Sequence, residues 1–225
     1  MTKQFVKQRF DDIRAIGSGK VIEDIELDRC TFVGPATVQW DDPNPSLVVR
    51  RIAATRCTLD NAAAIGTRFE NITVDHLTIK GGMLYLTGCV FSRVKLSGRI
   101  GPLMVIPPEP KPGQELSPDA DQAIADAYKE VDWALDISEA EFTDAGFYYV
   151  PGDLIRRDPE TQFLLRRESL ARLDRRKLPE GSGIFLNRFE GTPFNSIVAV
   201  APKRSRQFQS LLEILQGLRD AGVAE

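Results

Sequence analysis

The amino-acid pattern points to a mainly β protein, a right-handed β-helix with inserted and C-terminal α-helices. Three observations carry this expectation. Pairs of small or apolar residues recur every five positions through the first half of the chain, and charged residues fall between them. Helical spacing is confined to one insertion and to the C-terminal part.

The repeat is clearest between Leu47 and Leu84. There the pairs run Leu47/Val49, Ile52/Ala54, Cys57/Leu59, Ala62/Ala64, Thr67/Phe69, Ile72/Val74, Leu77/Ile79 and Gly82/Leu84. After a two-residue slip it resumes as Leu84/Leu86, Cys89/Phe91 and Val94/Leu96. It is present upstream in Ile25/Leu27 and Cys30/Phe32, and downstream in Leu135/Ile137, Ala140/Phe142 and Ala145/Phe147. In extended backbone, residues two apart point to the same side, so each pair faces inward while three residues turn outside it. Arg56, Asp60, Arg68, Glu70, Asn71, Asp75, Lys80, Arg93 and Lys95 all fall outside the pairs. A sandwich of alternating strands explains a period of two, but not a period of five sustained over eight consecutive pairs.

The segments CTLDN, TRFEN, ITVDH, LTIKG, CVFSR and AEFTD resemble the unit of the pentapeptide-repeat family. The resemblance covers residues 20–100 and 133–150. It implies a pentapeptide-repeat-like solenoid in which four units make one square coil of about 20 residues. Ile, Leu or Val replaces the small residue at several positions, and two insertions break the run.

Residues 33–46, with Pro35, Pro43 and Pro45, read as a loop insertion, and residues 101–134 as a Pro-rich loop followed by a helix. PPEPKPGQ (107–114) is too rich in proline for a helix or central strand. Ser117 then reads as N-cap with Pro118 at the first helical position. Ala120, Ile124, Ala127, Tyr128, Val131 and Leu135 follow at helical spacing. A second helix is expected from Asp158 to near Pro179, carrying Phe163, Leu164, Leu170 and Leu173. Short strands are expected at 183–189 and 194–201, and a final amphipathic helix at 203–221 closed by Gly222. The organisation expected is thus an interrupted solenoid over 1–154 and an α/β capping region over 155–225.

With 29 Lys+Arg against 32 Asp+Glu, the net charge of −3 gives no basic surface for nucleic acid. The N-terminus shows no secretory h-region and no apolar run is long enough to span a bilayer, so a cytoplasmic protein is expected. Three cysteines, Cys30, Cys57 and Cys89, cannot all pair within one chain and match no zinc spacing. They occupy inward positions, and the single histidine, His76, an outward one. Gly17-Ser18-Gly19-Lys20 lacks the full phosphate-loop pattern and reads as a turn. No catalytic residue, metal ligand or cofactor is therefore assigned.

Charge is instead segregated. From Glu115 to Asp144 ten acids face Lys129 alone, a net −9, whereas Arg156 to Lys177 carries eight bases and four acids. The expected partner-binding surface is Asp119, Asp126, Glu130, Asp132, Asp136, Glu139, Glu141 and Asp144. The plain alternative is a solvated face neutralised by neighbouring bases. These observations favour a non-enzymatic inhibitor that binds a protein, such as an immunity protein neutralising a basic bacterial toxin domain. The resemblance implies an alternative, a DNA-mimicking topoisomerase-binding protein. A β-helix enzyme ranks third.

Overall fold

The computed structural model describes residues 2–110, 113, 115, 117–171 and 178–225. Its first strands are β1 (Lys3–Val6), β2 (Arg9–Asp11), β3 (Arg14–Ile16), β4 (Val21–Asp28), β5 (Thr31–Val33) and β6 (Ala36–Val38). The next are β7 (Leu47–Asp60), β8 (Ala63–Ile65), β9 (Thr67–Lys80), β10 (Leu84–Thr87), β11 (Val90–Ile100) and β12 (Leu103–Ile106). Helix α1 (Ala120–Tyr128) follows, then β13 (Leu135–Phe142), β14 (Ala145–Phe147), β15 (Ile155–Arg156) and β16 (Gln162–Arg166). The chain continues through α2 (Arg167–Ala171), α3 (Gly183–Glu190), β17 (Ser196–Val200) and α4 (Phe208–Asp220).

Among the described residues these strands form two sheets, of nine and eight strands. The first runs β1-β4-β7-β9-β11-β13-β15, with β2 and β5 pairing beside β7. All its pairings are parallel, and they stack Ile25, Ile52, Ile72, Val94, Leu135 and Ile155 into one column. The second runs β16-β17-β14-β12-β10-β8-β6-β3 and turns antiparallel at β17.

These findings correct the expected architecture. The right-handed pentapeptide-repeat-like β-helix is replaced by an α/β-like arrangement of one parallel and one mixed sheet with helices, and among the described residues no closed solenoid is present. The physical reason lies in what a five-residue period reports. It marks where the backbone bends, not which segments hydrogen-bond side by side. Bends do recur, as left-handed residues with φ of 52–59° at Lys7, Asp12, Asp24, Arg29, Arg51, Arg56, Asn61, Asn71, His76 and Arg93. Yet β7 passes through Arg51 and Arg56 as one fourteen-residue strand, and β9 does the same through Asn71 and His76. Successive units therefore merge into long strands of one sheet instead of forming separate sides of equal length.

Other elements also differ. β6 lies inside the segment read as the first loop, and β12 inside the second. Helix α1 starts after Asp119 and ends at Tyr128, because Val131 and Leu135 belong to the turn and strand that follow. Phe163 and Leu164, expected in a helix, lie in β16, and Leu173 falls outside the described residues. Residues 183–189, expected as a strand, form α3. The C-terminal helix is α4, with Gly222 just beyond it at φ 74°.

Two cores explain the layering. The larger lies between the sheets and takes Ile72, Leu84, Phe91, Leu103, Phe142, Leu164, Val198 and Val200. The smaller lies on the other face of β16 and β17, where Phe163, Leu165, Ile197 and Ala199 meet Phe185, Phe189, Leu215 and Leu218 of α3 and α4. Alternate residues of the two strands serve opposite cores, so both strands read as unbroken apolar runs. Among the described residues no helix is long and apolar enough to cross a membrane.

Candidate functional site

The acidic segment is distributed over α1, the turn after it and β13. Ala120, Ile124 and Tyr128 bury one face of α1, leaving Asp119, Asp126 and Glu130 on or beside its exposed face. Asp126 accepts a hydrogen bond from Gln122 at 2.8 Å and pairs with Lys129 at 2.6 Å. The Lys129 ammonium, then the Gln122 amide, hold its carboxyl below the usual carboxylate range. Asp132, in the turn, lies 3.2 Å from the Arg93 guanidinium, which lowers its pKa in the same way.

On β13 the inward residues are Leu135, Ile137, Ala140 and Phe142, all buried. Asp136, Glu139 and Glu141 lie between them, and a register shift separates Asp136, opposite Lys95, from Glu139, opposite Ser97. Asp136 accepts hydrogen bonds from Ser138 N–H and Oγ–H, at 3.2 and 2.7 Å. Glu139 pairs with Lys95 at 2.7 Å and raises the lysine's pKa. Glu141 stands in register with Arg99, and Asp136 with Arg156. Arg156 also stacks on Trp133, 4.3 Å from the ring centroid.

β13 is thus an acidic strand flanked by basic residues of β11 and β15, a striped surface instead of a uniform one. The structure gathers Asp136, Glu139 and Glu141 on one strand, and Asp119, Asp126 and Glu130 at α1. Among the described residues Asp119, Glu130, Glu141 and Asp144 make no salt bridge. The expected basic counterpart, 156–177, is described only to Ala171; Arg172, Arg175, Arg176 and Lys177 lie outside the described residues.

Sequence reasoning missed a second acidic contribution. A hollow of about 290 Å³ separates residues 39–43 from the start of α1, and its lining includes Trp40, Asp41, Asp42, Glu109 and Glu115. Trp40 is 41% exposed. Beneath it the buried Gln39 fixes the loop, donating to Asp42 and Asn44 carbonyls and accepting from Ser46 and Leu47 N–H. The adjacent aspartates of the loop were the available signal, but their approach to α1 spans some 75 residues of sequence and is set by the sheets.

His76 is exposed on a left-handed bend with Nδ1 3.0 Å from Asp75, whose carboxyl it lowers, and Asp75 also accepts from Ser97 Oγ at 3.1 Å. The carboxylate stands between hydroxyl and imidazole, whereas a base that activates a hydroxyl must touch it directly. All three cysteines are buried, donating Sγ–H to backbone carbonyls, and burial pushes the Cys89 thiol up to about 12. The turn at Ser18 is occupied by the Asp41 carboxylate, which accepts from Ser18 N–H and Oγ–H. Among the described residues no cluster of His, Cys, Asp and Glu is placed to hold a metal.

Between the sheets lies a further hollow of about 490 Å³, lined by Ile25, Val49, Ile52, Ala54, Phe69, Leu84 and other apolar side chains, with Lys3, Thr37 and Cys57 among them. Ligand pockets of this size ordinarily carry several convergent polar groups that orient the ligand. No family model, no curated protein and no solved structure matches this chain.

Proposed function

We propose that the protein is a non-enzymatic inhibitor that binds a basic protein partner, as an immunity protein binds a toxin, within the cytoplasm. One observation carries this reading. Asp41, Asp42, Glu109 and Glu115 line the hollow at the start of α1 together with the half-exposed Trp40, so carboxylates and an exposed indole meet at one place, next to Asp119. That combination suits a Lys or Arg side chain, which gains from carboxylates and from an aromatic face together. Rigid display favours it as well, because α1 is pinned by Tyr128 and Ile124 and loses little freedom on binding. The three buried thiols suit a reducing compartment. Immunity is the specific form of the proposal, since many toxin domains that act on nucleic acids are basic. The topoisomerase alternative asks for an unbroken negative surface, and the stripe of Arg93, Lys95, Arg99 and Arg156 lends it no support.

The test is capture of partners on the tagged protein from its native cytoplasm at low and high salt, beside the double variant Asp119→Lys/Glu130→Lys and the single variant Trp40→Ala. A stoichiometric basic partner, released by salt and weakened at least about tenfold by either variant, is the expected result. A partner retained with unchanged affinity by both variants would remove the interface from this side of the protein.

A further inference from the structure

We infer that the protein forms a two-fold dimer with a second copy of itself, joined through β2 at the end of the sheets opposite the C-terminal helices. The inference rests on β1, β2 and β3 and stands apart from the acidic side.

The two ends of the sheets are built differently. At one end β16 and β17 lie under α3 and α4, and their side chains are buried on both faces. At the other, among the described residues, β1 and β3 are the outermost strands of their sheets, and β2 pairs only with β5. Each carries an open row of backbone donors and acceptors, the feature that pairs sheets between chains when nothing covers it. Large apolar side chains gather there: Val6, Ile13, Ile16 and Val21 are 46–55% exposed. The inter-sheet hollow also reaches this end, where Phe5, Phe10 and Ile13 line it.

The occupant is identified by the chemistry of β2. Its sequence is Arg9-Phe10-Asp11, a basic, an apolar and an acidic residue in that order. Antiparallel pairing of two copies about Phe10 sets Arg9 of one opposite Asp11 of the other, twice. Directly opposed residues of neighbouring strands lie about 5 Å apart, so both pairs are attractive. Phe10 already stacks on Phe32, at 4.9 Å between centroids and 18° between planes. In the dimer the stack runs Phe32-Phe10 and on into Phe10-Phe32 of the second copy. A two-fold interface requires a surface that complements itself, and β2 does so in the order of its charges.

The test is the mass in solution, by light scattering and sedimentation, of the whole chain and of Arg9→Asp, Asp11→Arg, their equimolar mixture and the doubly exchanged chain. The wild type is expected at twice 25.1 kDa. Each single variant sets like charges opposite each other and is expected as monomer, with dimer dissociation raised at least about tenfold. The mixture is expected to dimerise, because acidic strands then face basic ones, and the doubly exchanged chain to dimerise like the wild type. Far-UV circular dichroism of each variant checks folding. Each single variant also breaks the Arg9–Asp11 pair within the chain, 2.9 Å apart, and mixing does not restore that pair. Recovery on mixing therefore reports the contact between copies. A wild type that stays monomeric up to about 100 µM overturns the proposal, as does a dimer indifferent to both reversals, since contacts weaker than that leave no stable pair.

Discussion

Left-handed backbone at non-glycine residues ordinarily costs about 1–2 kcal/mol each, and this chain carries ten such residues among those described. Most sit in polar gaps between apolar pairs, so the five-residue pattern located the bends well while saying nothing of the strands that run through them. The inward cysteines show the same legibility. A small apolar residue was expected at each, and all three are buried. Cys89 turns this into a measurable consequence, because its thiol is fully buried and its pKa rises from 9.0 to about 12. In the unfolded chain the thiol loses its proton near its ordinary value, whereas in the folded protein it keeps it. The unfolded state then binds fewer protons, so stability falls as pH rises from about 9 toward 12. Urea midpoints for wild type and Cys89→Ala should run parallel below pH 8 and converge above about pH 9.5. Midpoints that stay parallel throughout would mean that the thiol titrates normally in the folded protein.

Helix α1 shows how an element carries information from core to surface. Its buried face was legible at helical spacing, and Ala120, Ile124 and Tyr128 anchor it as that spacing required. The bases Arg93 and Lys95 beside the acidic segment were visible as outward residues, but their pairing with Asp132 and Glu139 was not. β11 and β13 are separated by the whole insertion, and only the sheet register brings them together. The errors at β16 and α3 have a local cause. An apolar run that feeds two cores has no period of two, and a short helix between turns has little room to show a period of 3.6. Tyr128 is the joint between α1 and the sheets, accepting a hydrogen bond from Phe91 N–H at 3.3 Å and packing edge-on against Phe194. Tyr128→Phe should therefore cost about 1 kcal/mol, the ordinary net value of one hydrogen bond. Tyr128→Ala should cost roughly 3–5 kcal/mol and also weaken the partner, although every acid remains in place. Denaturation with urea gives the first pair of numbers and titration with the captured partner the last. Full affinity in the alanine variant would show that display on a fixed helix is irrelevant to binding.

Across the whole molecule, packing tightens from one end of the sheets to the other. Inward residues of the early strands, among them Ile25, Leu27, Val49, Ile52 and Ala54, are only half-buried and face the 490 Å³ hollow. Those of the later strands, such as Ile100, Leu103, Leu135, Phe142 and Phe147, are almost completely buried. The difference follows from composition and cover. Ala15, Ala36, Ala54, Ala63 and Ala64 leave space where Phe and Leu fill it later, and the C-terminal helices cover only the later strands. Interiors are normally close-packed, so adding volume is harmful where the core is full and helpful where it is not. Ala54→Ile extends into the hollow and should gain about 1 kcal/mol from newly buried apolar surface and strand preference. Ala134→Ile puts the same atoms at a site with no exposure and should lose roughly 1–3 kcal/mol by overpacking. The two substitutions are chemically identical, so opposite shifts in urea midpoint would measure the packing gradient directly. Equal losses at both sites would mean that the early strands close on each other in solution and that the hollow is not maintained. Opposite signs would identify the open end of the sheets as the part of the fold that gains most from being covered.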